Sequence, residues 1–294
     1  MKLKQTPSDF IVKEKSNVVI GEKGDYTYFL MEKENYNTVR ALEAVAKALH
    51  TQFRNIGFAG NKDRKAITSQ VCSVKFIGKD KLERTKLEGI KLTYLGKGDK
   101  PVSLGDLDGN NFEIIIYDVE EVPEKITKFV NYYGPQRFGG NNAEVGRAIV
   151  KKDFKKACNL LELDDSNAVL SLRGLNKKVL TLYIHAYQSW IWNESINLDN
   201  SKEEVELIGF GNHFQNQITK SEEIKPRDFI IRQIPEISSE GDIRKVWCEV
   251  KDLEIEKVKE GIKLKFFLPK GSYATVFIDQ LINAPKAATY HPRF

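Results

Sequence analysis

Residues 57–70 read GFAGNKDRKAITSQ. A glycine turn leads into Asp63, which lies between Lys62 and Arg64, and an alternating β-rich run follows at 66–76. The spacing puts one carboxylate in a loop between two strands. Taken by itself, Lys-Asp-Arg reads as a basic surface turn between two strands.

On the N-terminal side, residues 10–15 (FIVKEK) and 26–33 (YTYFLMEK) read as strands joined through a glycine turn. Residues 38–50 carry Val39, Leu42, Val45, Ala46 and Leu49 at helical spacing, with Asn37 or Thr38 as cap. A short strand at 56–59 enters the opening loop. On the C-terminal side, strands are expected at 90–95 and 112–119, around a polar, glycine-rich loop. Pro123 opens an expected helix ending near Asn131. Further helices are expected at 142–152, 154–163 and 177–196, the last with Val179, Leu182, Tyr183, Ala186 and Trp190 in its stripe. Residues 199–245 hold only short β-like pieces, VELIGF and DFIIRQI. Strong pattern returns at 262–268, a PKGS turn and 273–282, which read as a β-hairpin. Strands, then helices, then strands describe an α+β chain with a central insertion, the last strands rejoining the first sheet.

With 294 residues, 41% hydrophobic and 30% charged, the chain has ample sequence for a packed core. Its net charge of +5 leans toward a polyanionic partner. The three cysteines are far apart and form no CxxC pair, which argues against a zinc site or disulfide framework and fits a reducing cytoplasm. No segment has the apolar length of a signal peptide or membrane span. Phosphate-loop and dinucleotide fingerprints are absent, and no histidine has a second ligand at metal spacing. The expectation is a cytoplasmic protein with no metal, no cofactor and no membrane attachment.

Residues 131–142, NYYGPQRFGGNN, mix tyrosines, a phenylalanine, an arginine and amides within a short turn. Single-stranded nucleic acid is gripped by such mixtures, in which rings stack bases, amides read edges and arginine meets phosphate. A glycine turn whose aromatics belong to the core has the same composition. Residues 3–15, LKQTPSDFIVKEK, set Lys4 and Phe10 on either side of a proline turn. Residues 266–278, FFLPKGSYATVFI, carry a basic tip and Tyr273. The helical segment YIHAYQSWIWN contains His185, read as a core residue.

Together these stretches resemble the TruD family of tRNA pseudouridine synthases, from Lys4 to Leu281. The matching pieces are KxxPxDFxV at Lys4, Pro7, Asp9, Phe10 and Val12; AGxKDxxAxTxQ from Ala59 to Gln70; NYxGxQRFG from Asn131 to Gly139; AYQSxxxN from Ala186 to Asn193; and LPxGSYAT from Leu268 to Thr275. The resemblance implies a pseudouridine-synthase core, a mixed and largely antiparallel sheet flanked by helices. Residues 1–145 and 246–294 would form this discontinuous catalytic domain, and 146–245 a reduced TruD-type insertion. It implies that Asp63 is the catalytic aspartate and that Phe10, Asn131 and Tyr273 line the target-base pocket. Lys4, Gln70, Tyr133, Arg137 and Phe138 lie in the same motifs as further substrate-binding candidates. The implied activity is cofactor-free isomerisation of uridine 13 in tRNA by a monomer. The alternatives are the same chemistry on another tRNA position or RNA, and a non-catalytic RNA-binding protein on this scaffold. The chain is shorter than is usual in the family, and Val276 to Leu281 (VFIDQL) replaces a common VxREL ending.

Overall fold

The computed structural model describes residues 2–3 and 5–283. In chain order, β1 (Lys2–Leu3), β2 (Phe10–Ser16) and β3 (Tyr26–Glu34) precede α1 (Thr38–Ala48). Then come β4 (Ile56–Phe58), β5 (Ile67–Lys75), α2 (Lys79–Arg84), β6 (Ile90–Gly98) and β7 (Leu107–Tyr117). A middle stretch follows with β8 (Lys128–Val130), α3 (Pro135–Phe138), α4 (Asn142–Val150), α5 (Phe154–Leu160), α6 (Ala168–Arg173) and α7 (Lys177–Leu198). After β9 (Glu204–Leu207), α8 (Gln217–Ser221), β10 (Asp242–Lys245) and β11 (Trp247–Glu249), the chain closes with β12 (Lys251–Val258), β13 (Gly261–Pro269) and α9 (Ala274–Asn283). No helix among the described residues is long and apolar enough to cross a membrane.

Two compact units result, one of residues 1–127 and 249–271, the other of 128–248 and 272–294. The first is built on a nine-stranded sheet with the path β12-β13-β7-β2-β5-β3-β6, to which β1 adds on β7 and β4 on β5. Its pairs are antiparallel except β2 with β5, where Ile11 faces Ile67 and Val12 faces Thr68. The sheet is therefore mixed and largely antiparallel, and β13 rejoins β7 along its length as expected. Alternation sends Phe29, Met31, Cys72 and Val74 to one face, where they meet Ala41, Leu42, Val45 and Leu49 of α1. That helix is capped by Asn37, whose side chain accepts from the Arg40 amide at 2.8 Å.

The second unit packs α4 to α7 into an apolar core around Tyr187, Ile184 and Ile191. Its β9–β10 and β8–β11 pairs are small two-stranded sheets. Three sequence expectations are corrected here. The helix expected after Pro123 does not form; instead Lys128–Val130 makes β8, which pairs with β11 and buries Phe129 and Val130, so strand pairing overrides the helical spacing of Ile126, Phe129 and Val130. DFIIRQI is not a strand: a 3₁₀ turn at Pro226–Phe229 is followed by irregular chain that sends Ile231 and Ile234 into the core. The second arm of the expected final hairpin is α9, a helix with Ala274, Val276, Phe277, Ile278 and Leu281 buried.

Candidate active site

In the first unit the loop between β4 and β5 is held from several sides. Gln70 is fully buried. Its Nε2 donates to the Gly60 carbonyl at 3.0 Å, and its Oε1 accepts from Thr38 Oγ1 at 3.0 Å. The same Thr38 oxygen accepts from the Lys62 amide at 2.8 Å. Gln70 and Thr38 thus lash the loop to the start of α1, and both ends of the Gln70 amide are occupied within the protein. Ala59 and Ala66 bury the two ends of the loop.

Lys62 does not turn toward Asp63. Its Nζ reaches Glu14 of β2 at 2.5 Å, and both side chains are almost wholly buried. Burial pushes the Glu14 carboxyl up from its ordinary range, and Lys62 pulls it back down. Glu14 also accepts from the Val71 amide at 3.3 Å. Asp63 is half-buried, while Arg64 and Lys65 are exposed. Beside the loop lies Lys33 of β3, 2% exposed, whose Nζ donates to the carbonyl oxygens of Tyr36 and, at 3.0 Å, of Asp63 itself. Burial lowers the Lys33 ammonium to about 8, against an upward pull from Asp63 and a downward one from Lys62. Neither Glu14 nor Lys33 is singled out by the sequence reading. Each continues the inward alternation of its strand, Glu14 after Phe10 and Val12 on β2 and Lys33 after Phe29 and Met31 on β3, and a charge at such a position is the signal that marks it. Phe10 begins β2 and is buried, its ring edge-on to Phe112 with centroids 6.3 Å apart. Lys4 lies outside the described residues.

In the second unit the NYYG loop follows β8 and is seated on α7. Asn193 accepts from the Tyr133 amide and donates to the Tyr133 carbonyl, each at 3.0 Å, as a neighbouring strand would. Tyr132 donates to Asn197 Oδ1 at 2.7 Å. Arg137 Nε donates to Ser189 Oγ at 3.2 Å, and Phe138 is buried at the end of α3. The AYQSxxxN stretch is therefore the bed of this loop. Next to it, burial and the Arg137 charge lower the ionisation of His185.

Asn131 is turned inward. Its Nδ2 donates to the Lys245 carbonyl at 3.2 Å, and its Oδ1 accepts from Arg244 Nη2 at 2.8 Å. Arg244, on β10, also donates from Nε and Nη2 to the Asn131 carbonyl. Its guanidinium lies 4.1 Å from the centroid of Tyr133 and 5.2 Å from that of Trp192. Tyr133 is thus covered by Arg244 on a face and meets Trp192 edge-on at 5.7 Å and Tyr273 at 6.4 Å, so its ring is packed rather than open. Arg244 falls in the weakly patterned stretch and was not legible from the sequence. Tyr273 is half-buried just before α9. A methyl on Gly134 would stand 3.1 Å from the Tyr273 ring and 3.1 Å from Val276, so the Gly134 backbone is what lets the ring approach.

A mixed sheet carrying a pinned carboxylate loop, with an aromatic and amide loop seated on a long helix, is the fold of the pseudouridine synthases. The fold matches the crystal structure of the "Putative tRNA pseudouridine synthase D (TruD)" from Methanosarcina mazei with a TM-score of 0.73, over 96% of this chain and 93% of that one, at 23% identity. The tRNA pseudouridine synthase D (TruD) family model matches residues 1–168 and 203–281, and the chain belongs to that family. The unmatched residues 169–202 include the AYQSxxxN stretch. Among curated relatives, "Probable tRNA pseudouridine synthase D" of Nanoarchaeum equitans is 28% identical, covering 97% of this chain and 99% of its own. "tRNA pseudouridine synthase D" of Aquifex aeolicus is 26% identical, covering 96% and 98%.

Proposed function

We propose that the chain isomerises uridine 13 of tRNA to pseudouridine, with Asp63 as the catalytic carboxylate and no cofactor. What carries this reading is the loop around Asp63. Gly60 and Lys62 are tied to Gln70 and Thr38, Lys62 is committed to Glu14, and the carboxylate at the turn stays half-buried. A surface turn that merely joins two strands has no need of a buried ion pair and a fully buried glutamine beneath it.

The reaction breaks the N1–C1′ bond, turns the uracil and forms a C5–C1′ bond, while the C5 proton is lost and N1 gains one. No electrons are exchanged and no group leaves the RNA. One carboxylate suffices, acting on the sugar either as nucleophile at C1′ or as a base toward a sugar proton. The target uridine must leave its stack, and a ring replaces that stacking at about 1–3 kcal/mol per base. Tyr273, half-buried, serves this purpose better than Tyr133, whose ring is covered by Arg244. Phe10 is assigned to the wall of the base pocket, and Arg137 and Lys4 to phosphate contacts. Asn131, Gln70 and Phe138 act by holding the loops, since their side chains are committed within the protein or buried. Residues 146–245 act as the family insertion that contributes to tRNA grip, and the protein works as a cytoplasmic monomer.

Asp63→Asn is expected to abolish pseudouridine formation on tRNA transcripts while leaving tRNA affinity within about threefold. Full activity in that variant would remove Asp63 from the chemistry. Mapping the product to a position other than 13 would correct the substrate site and leave the reaction standing.

A further inference from the structure

Lysine is among the residues least often fully buried, because its ammonium loses its water. Lys33 nevertheless sits 2% exposed near the end of β3, directly across from Thr68 of β5. A methionine would fill the same space without that cost. What a methionine could not do is donate. The Lys33 ammonium donates to Tyr36 O, at the turn before α1, and to Asp63 O, in the loop. It therefore bridges the entry of the helix and the residue that carries the reactive carboxylate. The charged groups facing it are Asp63 and Lys62, the latter paired with Glu14.

We propose that Lys33 is a positioning residue for the isomerisation: its protonated side chain holds the Asp63 backbone and keeps a fixed positive charge beside the Asp63 carboxylate. This rests on Asp63 being the catalytic group. Fixing the main chain of a catalytic residue by a buried donor is a means of keeping its side chain within the narrow geometry the reaction needs. The fixed charge depends on a proton that burial has loosened, since Lys33 ionises at about 8 instead of near 10.5. Once neutral, the amine still donates, but the fixed charge is gone. The sign for stability is opposite. Between about pH 8 and 10.5 the unfolded chain holds this proton more tightly than the folded protein. This site's contribution to stability is thus full above the unfolded value, and lost as pH falls through the folded one. Activity lost above pH 8 through Lys33 is therefore not loss of fold at this site.

The experiment measures kcat and KM on tRNA from pH 6 to 9.5, with hydrogen exchange of residues 60–66, for wild type, Lys33→Met and Lys33→Arg. Wild-type kcat is expected to fall through a pH near 8. Lys33→Met should lower kcat at pH 7 at least 100-fold, with KM within threefold and faster exchange in the loop. Lys33→Arg should keep kcat at pH 7 within about tenfold and lose the alkaline fall, because arginine stays protonated. The proposal is overturned by Lys33→Met retaining kcat within threefold, by Lys33→Arg retaining the wild-type alkaline fall, or by a flat wild-type profile. The last two decide the matter if Lys33→Met fails to fold. A wild type inactive on tRNA at every pH would sink the isomerase reading instead. The exchange comparison would then still decide whether Lys33 holds the loop: an unchanged rate in Lys33→Met overturns the proposal.

Discussion

Lys62 sits next to Asp63, the proposed catalytic carboxylate, in sequence, yet its side chain is spent on Glu14 beneath the loop. The pair is buried on both sides at 2.5 Å, so neither charge has water to fall back on. Such pairs add little net stability over an apolar replacement, but breaking one by removing a single partner strands a buried charge. Lys62→Met is expected to destabilise the protein by about 3–5 kcal/mol, read by urea denaturation. Glu14→Leu combined with Lys62→Met should recover most of that loss. If the single and double variants are equally unstable, the pair does not bear on folding in this way. Sequence adjacency is what hid this division of labour. From the letters KDR, both cations flank the carboxylate. Only the position of Glu14 on β2 says where Lys62 goes. Asn131 repeats the lesson, because its partners Arg244 and Lys245 are remote in sequence and lie in a stretch with almost no periodic signal.

At the scale of elements, most regular pieces were legible, the short β4 and α5 among them, and the exceptions are β8, the DFIIRQI stretch and α9. Strands β2, β3 and β5 and helices α1, α4 and α7 follow from alternation or a helical stripe, and the return of β13 to β7 follows from the order of strands and helices. The final segment misleads because YATVFI is rich in β-branched and aromatic residues. Its buried positions Ala274, Phe277, Ile278 and Leu281 nevertheless recur at helical spacing, and tertiary packing sided with the spacing. That choice matters for the site, since it is the start of a helix that brings Tyr273 and Val276 against Gly134. Gly134 has φ of −81°, a conformation alanine adopts freely, so Gly134→Ala tests the close approach and nothing else. The added methyl would meet ring and side chain at 3.1 Å. Overpacking of this kind costs about 1–3 kcal/mol, which thermal unfolding would register. The displaced Tyr273 should also lower kcat more than tRNA affinity. Unchanged stability and kcat would mean that the ring moves aside at no cost and that its placement is not set by Gly134.

For the molecule as a whole, the compact units and the expected insertion divide the chain differently. The second unit takes in the NYYG loop and α9 as well as residues 146–245, because those segments pack on α7 and on one another. Folding therefore couples residues assigned to the base pocket to residues of the proposed insertion, with Arg244 as the link. The charge of the whole chain sets how RNA is held. The net +5 is small, because 41 acidic residues offset 46 basic ones, and some cations are held by a local carboxylate, among them Lys263 with Glu113, Lys265 with Glu254, and Arg147 with Glu222. The long-range pull on a polyanion is therefore weak, and the electrostatic share of binding should be moderate. If ~4 phosphates are contacted, the logarithm of affinity should fall with the logarithm of salt at a slope of about −3. Between roughly 50 and 200 mM salt the affinity for tRNA should then drop ~50- to 100-fold. The measurement is a titration of labelled tRNA at several salt concentrations, run in parallel on wild type and Asp63→Asn. The slopes should coincide, because the role proposed for Asp63 is at the sugar and not at the phosphate backbone. A flat affinity across that range would count against an RNA partner. A shallower slope in Asp63→Asn would mean that the carboxylate orders cationic contacts as well as doing chemistry.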